Sequence, residues 1–411
     1  MKRPLTWLCA PQRVRTVFEL HFRTLGLRRR RGPSKPAEAR SILILRLDHI
    51  GDLILTTPFL REVRRNWPSA EITLLVTPAS RPVVEYCPYV DHVEVYPGFR
   101  ESRWGSIRRL FQEVAFCREH FWKFRFDLAL VPRWDTQLFR EGVLAYLSGA
   151  RMRVGFAEQS NTIARNDDSY ECLYTHLAPG GSHQHEVERY LSLLTWMGCA
   201  VREMRTEIWI DPDDRKFAAH LIPASPAKVR VAIVPGASST GRRWPAERFG
   251  ELAAWIVGEL GGEVVLLGAA GEAALGKAIE RACHGGAIDL IGQTTVRQAI
   301  AVLEYCDLYV GNDTGPMHMA AALGIDVVAI NPHPADGSPH HERYPQRFCA
   351  WDVEPFIAQP AHGLDDCVEF CEPGEKGEPH CILAVTMEQV KALIRQALAA
   401  GRSQLGKALP L

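Results

Sequence analysis

Arg46-Leu-Asp-His-Ile-Gly-Asp-Leu-Ile-Leu-Thr-Thr-Pro58 is the stretch around which the chain is organised. Before it runs Ser41-Ile-Leu-Ile-Leu45, a short apolar stretch suited to a strand buried on both faces. After it, Leu53, Leu55, Phe59, Leu60 and Val63 recur at roughly helical spacing, with Arg and Glu between them. The turn between strand and helix therefore holds His49, Gly51 and Asp52 at the carboxyl end of a first parallel strand. Open α/β sheets bind their ligands at that edge. A carboxylate there, beside a permissive glycine, is placed to take a proton from a bound hydroxyl. On spacing alone, an Asp52 that merely caps the helix is the commoner arrangement.

The same alternation continues outward. Strand-like runs at 71–77, 92–96, 126–131 and 153–156 are separated by helical patterns, which predicts a parallel, doubly wound α/β domain over 41–210. Between Phe99 and Phe126 lies an insert rich in basic and aromatic residues, among them Arg103, Arg108, Arg109 and Lys123. Arginine suits carboxylate and phosphate, and aromatic rings pack on sugar faces, so an acidic carbohydrate fits this insert. Nucleic acid would fit its charge too, and so would a plain solvated helix. His183-Gln-His185 precedes an amphipathic helix at 187–197. Without a third ligand the pair reads as a helix cap or a substrate contact rather than a metal site.

A second series begins after Pro223-Ala-Ser-Pro226, with strands at 228–234, 262–268, 288–291, 307–310 and 325–330, and predicts a further α/β domain over 222–395. The loop Pro235-Gly-Ala-Ser-Ser-Thr-Gly-Arg-Arg-Trp-Pro245 offers small residues, the hydroxyls of Ser238 and Ser239, and two cations, Arg242 and Arg243. Such chemistry at a strand end suits a diphosphate. Pro245 is placed as a first helical residue. Gly268-Ala-Ala-Gly-Glu272 lacks a full dinucleotide fingerprint, and Glu272 suits either a ribose or a helix start. In Gly311-Asn-Asp-Thr-Gly-Pro-Met-His318, Asp313, Thr314, Gly315 and His318 sit where a strand turns into a helix built of small residues. The result is an anion site, or simply a capped helix with a buried histidine. Cys349, Cys367, Cys371 and Cys381 do not follow a standard zinc spacing and read as ordinary thiols.

The chain has 411 residues, 46% apolar and 23% charged, as in a globular protein with two domains. Its zero formal net charge hides an asymmetry, since residues 1–40 carry eleven Lys/Arg against two Glu. That segment reads as a basic amphipathic tail and linker able to lie on an anionic membrane surface, and 396–411 as a flexible tail. Eleven cysteines without a secretory signal point to a reducing, cytoplasmic compartment.

Taken together, these motifs resemble glycosyltransferase family 9, the heptosyltransferases of the lipopolysaccharide inner core. The resemblance covers about 41 to 395. It rests on Arg46-x-Asp-x-Ile-Gly-Asp-x-x-Leu-Thr-Thr-Pro58, Phe126-Asp-Leu-Ala-Leu130, Ser148-Gly-Ala-x-x-Arg-Val-Gly155 and His185-Glu-Val-x-Arg189. In the second domain it rests on Pro235-Gly-Ala237, Trp244-Pro245 and Gly311-Asn-Asp-Thr-Gly-x-x-His318. The resemblance implies a GT-B fold of two Rossmann-like domains facing across a cleft. The implied reaction is an inverting transfer from ADP-heptose to a lipopolysaccharide core acceptor, without metal or other cofactor. It also implies the proposed general base at Asp52, diphosphate binding at Arg242 where the family has lysine, a donor-binding acid at Glu272, and donor contacts at Asp313, Thr314, Gly315 and His318. Val234 stands where many members carry histidine. The basic insert would meet the acceptor, and the tail would hold the enzyme at the inner face of the plasma membrane; no nucleic-acid partner is expected. The competing readings are another nucleotide-sugar donor on the same fold, or a non-catalytic nucleotide-sugar-binding protein.

Overall fold

The computed structural model describes residues 14–15, 35–98, 105–133, 141–157, 168–179, 185–223, 229–284, 286–339, 344–364 and 380–405. Of the residues singled out above, Arg103, His183, Cys367, Cys371 and nearly all of the basic tail lie outside them. The chain divides into two compact units, Met1–Met204 and Arg205–Leu411.

The first unit runs β1 (Ser41–Arg46), α1 (Ile50–Leu55), α2 (Thr57–Asn66), β2 (Glu71–Val76), α3 (Arg81–Val84), β3 (His92–Val95), α4 (Gly105–His120), β4 (Leu128–Leu130), α5 (Glu141–Leu147), β5 (Met152–Phe156), β6 (His176–Ala178) and α6 (Glu186–Trp196). All six strands are parallel, in the order β3-β2-β1-β4-β5-β6, with Ser41 opposite Glu71 and Ile42 opposite Leu128. β1 is buried along its whole length, as a central parallel strand covered on both faces must be. The helical pattern after it is cut in two. Pro58 has no N–H and its ring would strike the Ile54 carbonyl, so α1 stops at Leu55 and α2 restarts at Thr57.

The second unit runs α7 (Pro212–Leu221), β7 (Arg230–Val234), α8 (Ala246–Gly258), β8 (Glu263–Leu266), α9 (Ala273–Ala282), β9 (Ala287–Asp289), α10 (Val296–Leu303), β10 (Leu308–Asn312), α11 (Gly315–Ala322), β11 (Asp326–Ile330), α12 (Pro345–Phe348), β12 (Pro355–Ala358) and α13 (Met387–Leu405). Its sheet is again wholly parallel, ordered β12-β11-β10-β7-β8-β9. Read from the first strand of each unit, both sheets have the same doubly wound order. The strand order therefore reverses between β1 and β4 in one and between β7 and β10 in the other, the points where open α/β sheets bind ligands.

Four details differ from the sequence reading. β6 and β12 are short edge strands that the sequence reading did not include. Pro245 is the N-cap rather than the first residue of α8, and Gly51 and Asp52 lie inside the first turn of α1 rather than before it. α13 continues to Leu405, past the tail boundary at 396. Ala397 continues the apolar spacing of Val390 and Ile394 and is fully buried with them.

Each unit has its own core. In the first, Leu43, Leu45, Phe121, Val143, Tyr146 and Leu147 pack between sheet and helices, and Val14 is fully buried among them. The Tyr146 hydroxyl donates to the Arg15 carbonyl at 2.8 Å, so two residues of the basic N-terminal stretch are built into this domain. In the second, Val231, Ile233, Trp244, Phe249, Val310 and Ile394 form the centre. No helix among the described residues is long and apolar enough to cross a membrane.

Candidate active site

In the second unit the site is assembled from the ends of β7, β8, β10 and β11. Asn312 closes β10 and is fully buried. Its amide donates to the Pro235 carbonyl at 2.8 Å and its oxygen accepts the Trp244 amide at 3.1 Å, so one side chain pins both ends of the loop after β7. Within that loop Arg243 Nε turns back to the Ala237 carbonyl at 2.7 Å and shapes the turn. Arg242 turns the other way. Its Nη2 donates to the Asp313 carbonyl oxygen and lies 3.8 Å from Asp313 Oδ1. Of the two arginines, only Arg242 is brought to the end of β10.

Asp313 does not cap α11. Thr314 is the N-cap, and Asp313 stands just outside the helix, where Asn331 at the end of β11 donates to its Oδ2 at 2.6 Å. Burial pushes the Asp313 carboxyl above its ordinary range, against the opposing pull of the Arg242 guanidinium and the Asn331 amide. The amides of Thr314 and Gly315 open α11 beside this group with the positive end of the helix dipole, while Pro316 has no N–H and the Met317 amide donates to the Thr314 carbonyl at 3.0 Å. His318 lies in the same helix one turn further in and is buried. Cys349 lines a small cavity with Asp313, Met317 and Asn331. Burial raises its thiol to about 11, with the Asp313 carboxylate adding to the rise.

Glu272 belongs to the same edge. Its Oε2 accepts the Ala269 amide at 2.9 Å, and its carboxylate covers Gly236, where a Cβ would fall on it. Gly236 is thus needed for close approach rather than for an unusual backbone angle. Ser238 is exposed at the mouth of the loop and Ser239 is half-buried. The edge therefore offers a guanidinium, free helix amides and hydroxyls, with two carboxylates held by amide donors. Such a set can hold a diphosphate and the hydroxyls of an attached sugar.

In the first unit the end of β1 is clamped by charge. Asp48 lies between Arg46, at 2.9 Å from Nε, and Arg133, whose Nη1 meets its Oδ1. Arg133 also reaches the buried Glu141 at 3.5 Å, and Arg46 stacks 4.0 Å over the Tyr190 ring. The Asp48 carbonyl accepts the Ser80 hydroxyl at 2.8 Å and the Thr77 hydroxyl at 3.3 Å. From this fixed loop α1 begins with His49 as N-cap, its side chain making no capping bond, and Asp52 occupies the first turn, half-buried. His185 is the N-cap of α6, its Nδ1 accepting the Val187 amide at 3.2 Å.

The basic insert is only partly presented to solvent. Arg108 is exposed, while Arg109 turns inward to the fully buried Glu113 at 3.1 Å. Lys123 lies 4.8 Å over the Phe124 ring and 4.0 Å from Glu94. Among the described residues no group of three His, Cys, Asp or Glu is arranged to hold a metal ion. Sequence reasoning passed over Asn312, Asn331, Arg46 and Arg133 as site-building residues. Only the position of the two asparagines, each closing an apolar strand, could have pointed to them.

Two parallel sheets of Rossmann order, each with polar and charged groups gathered at its carboxyl edge, define the GT-B class of glycosyltransferases. The model of glycosyltransferase family 9 (heptosyltransferase) matches residues 124–333, just over half of the chain, and the chain belongs to that family. Among characterised relatives it is 22% identical over 293 residues to the lipopolysaccharide core heptosyltransferase OpsX of Haemophilus influenzae, covering 71% of this chain and 78% of that protein. The family 9 glycosyltransferase of Veillonella parvula superposes with a TM-score of 0.70 at 21% identity, covering 88% of this chain and 98% of that one. The Escherichia coli ADP-heptose lipopolysaccharide heptosyltransferase II gives 0.63 at 19% identity, covering 88% and 99%. At these identities the two structures establish the shared fold.

Proposed function

We propose that this enzyme transfers heptose from ADP-heptose to a lipopolysaccharide core acceptor by an inverting displacement. The observation that carries the proposal is the cradle at the end of β10, where Arg242, Asp313 and the start of α11 converge at the switch point of a Rossmann sheet. The names of the relatives supply the donor and the acceptor class. In this reading the second unit, from about residue 222 to 395, binds the nucleotide sugar, and the first, from about 41 to 210, binds the acceptor.

Asp52 takes the proton from the attacking hydroxyl, while that oxygen approaches the anomeric carbon opposite the departing ADP. Negative charge grows on the diphosphate as the bond breaks. Arg242 and the amides of Thr314 and Gly315 meet that charge with groups already in position. Such donors are each worth about 3–4 kcal/mol in comparable sites. Glu272 and the hydroxyls of Ser238 and Ser239 accept or donate to the ribose and phosphates, and Asp313 and His318 hold the sugar side of the cradle. Arg103, Arg108 and Lys123 meet acidic groups of the acceptor, with Arg109 bracing them through Glu113. The enzyme works at the cytoplasmic face of the membrane, where a lipid-linked acceptor is exposed.

ADP release tests this directly. With ADP-heptose and a truncated lipopolysaccharide acceptor, release requires the acceptor and drops by several orders of magnitude in Asp52→Ala, which retains donor binding. Full turnover by Asp52→Ala would remove Asp52 as the base, and an absence of ADP-heptose binding by the wild type would remove the donor.

A further inference from the structure

α4 presents an outer face quite unlike the rest of the first unit. Its inner side is fully engaged. Phe116 and Cys117 enter the core beside Tyr146, and the buried Glu113 takes Arg109. Its outer side carries Arg108, Phe111, Ala115 and Arg118, all exposed and three or four residues apart, so they form one stripe along the helix. Phe111 is 71% exposed, the largest value for any large apolar side chain among the described residues. The stripe ends beside the exposed Lys123 and Arg125. Against these four exposed cations the same stretch sets one exposed acid, Glu119, while Glu94 is taken up by His120 at 2.7 Å and by Lys123.

An aromatic ring held out in water between guanidinium groups matches the layered chemistry of an anionic bilayer surface. The ring belongs below the headgroups and the cations among them. The topology gives this face a direction. β3 and β4 are parallel strands of one sheet, so the connection between them must return from its carboxyl edge to its amino edge, and α4 is the helix of that return. The end of the stripe that carries Arg108 and Phe111 therefore lies toward the edge where Asp52 stands.

We propose that the outer face of α4, through Phe111 and Arg118, is a docking surface for an anionic phospholipid bilayer. It would bring lipid-linked acceptors to the edge that carries Asp52. The proposal rests on the glycosyl-transfer reading for its purpose but not for its test. In co-sedimentation of the full-length protein, wild type binds vesicles of phosphatidylethanolamine with phosphatidylglycerol and not vesicles of phosphatidylcholine. The double variant Phe111→Ser with Arg118→Ser binds the anionic vesicles about tenfold more weakly or worse. Phe111→Trp, which keeps an aromatic ring, binds as wild type does, and replacing Arg28 to Arg31 by glutamine leaves most of the binding in place.

The double variant keeps wild-type ADP release on a water-soluble truncated acceptor, because neither position takes part in the chemistry. Undiminished vesicle binding by the double variant, or loss of binding on replacing Arg28 to Arg31 alone, overturns the proposal. Failure of ADP release by every protein, wild type included, counts against the transfer reading and leaves the vesicle result to judge the surface.

Discussion

The side-chain amide of Asn331 donates to Asp313 Oδ2 at 2.6 Å, and its own oxygen accepts the His333 amide at 2.7 Å. The second bond fixes which way the Asn331 amide faces, since a backbone N–H can only donate. Its NH2 must then point at Asp313. The carboxylate next to Arg242 is thus oriented by a residue 18 positions further along the chain, at the end of the neighbouring strand.

Asn331→Ala therefore removes a hydrogen bond to a charged group and strands a buried N–H. Unfolding free energy falls by about 2 kcal/mol in urea titrations. The KM for donor rises about tenfold, equivalent to ~1.4 kcal/mol, as Asp313 and Arg242 lose their alignment. An unchanged KM would mean that Asn331 serves stability alone.

The raised Asp313 carboxyl makes stability depend on pH in a defined direction. Because burial lifts it above its ordinary 3.8, the folded state holds the proton more tightly than the unfolded one. Its contribution is favourable at low pH and is lost as pH rises from 3.8 through the folded value. Asp313→Asn escapes that loss. The variant melts higher than wild type at neutral pH, and the difference closes as the pH is lowered to about 4 and below. Its transfer rate falls, the exchange of stability for function expected of a buried site carboxylate.

Gly236 and Glu272 are coupled by space. Gly236→Ala places a methyl group on the Glu272 carboxylate and lowers stability by about 1–3 kcal/mol. In the Glu272→Ala background the same change costs little, because the obstructing atoms are gone. Melting temperatures of the four proteins in this cycle measure the coupling, and additive shifts would show that the loop moves aside freely.

Asp48 balances two guanidinium groups that are nearly buried, Arg46 at 2% and Arg133 at 10% exposure. Asp48→Asn removes the carboxylate shared by both guanidinium groups, while Arg133 keeps Glu141 at 3.5 Å, and costs about 3–5 kcal/mol of stability. Breaking the surface pair Lys216–Asp213, exposed at 77% and 84%, leaves the unfolding midpoint unchanged. The contrast separates burial from charge pairing as such.

What the sequence determined by itself is local. Apolar runs of four to six residues marked the central strands because both faces of a parallel strand are covered, and this alternation was enough to define two doubly wound sheets. The His185 cap was legible because a cap is a local bond. The His185 Nδ1 accepts the amide of Val187, two residues on, at 3.2 Å. Tertiary structure decided what depends on distant partners. Asn312 pins a loop 77 residues away, Arg46 reaches the Pro132 carbonyl 86 residues on, and Val14 enters a core otherwise drawn from residues beyond 41. It also decided that Arg242 rather than Arg243 meets Asp313, and that Phe111 is left in water. Periodicity tells a residue which face it occupies within its own element. Which other element comes to cover that face depends on how the strands are ordered in the sheet, and only the folded chain settles that order.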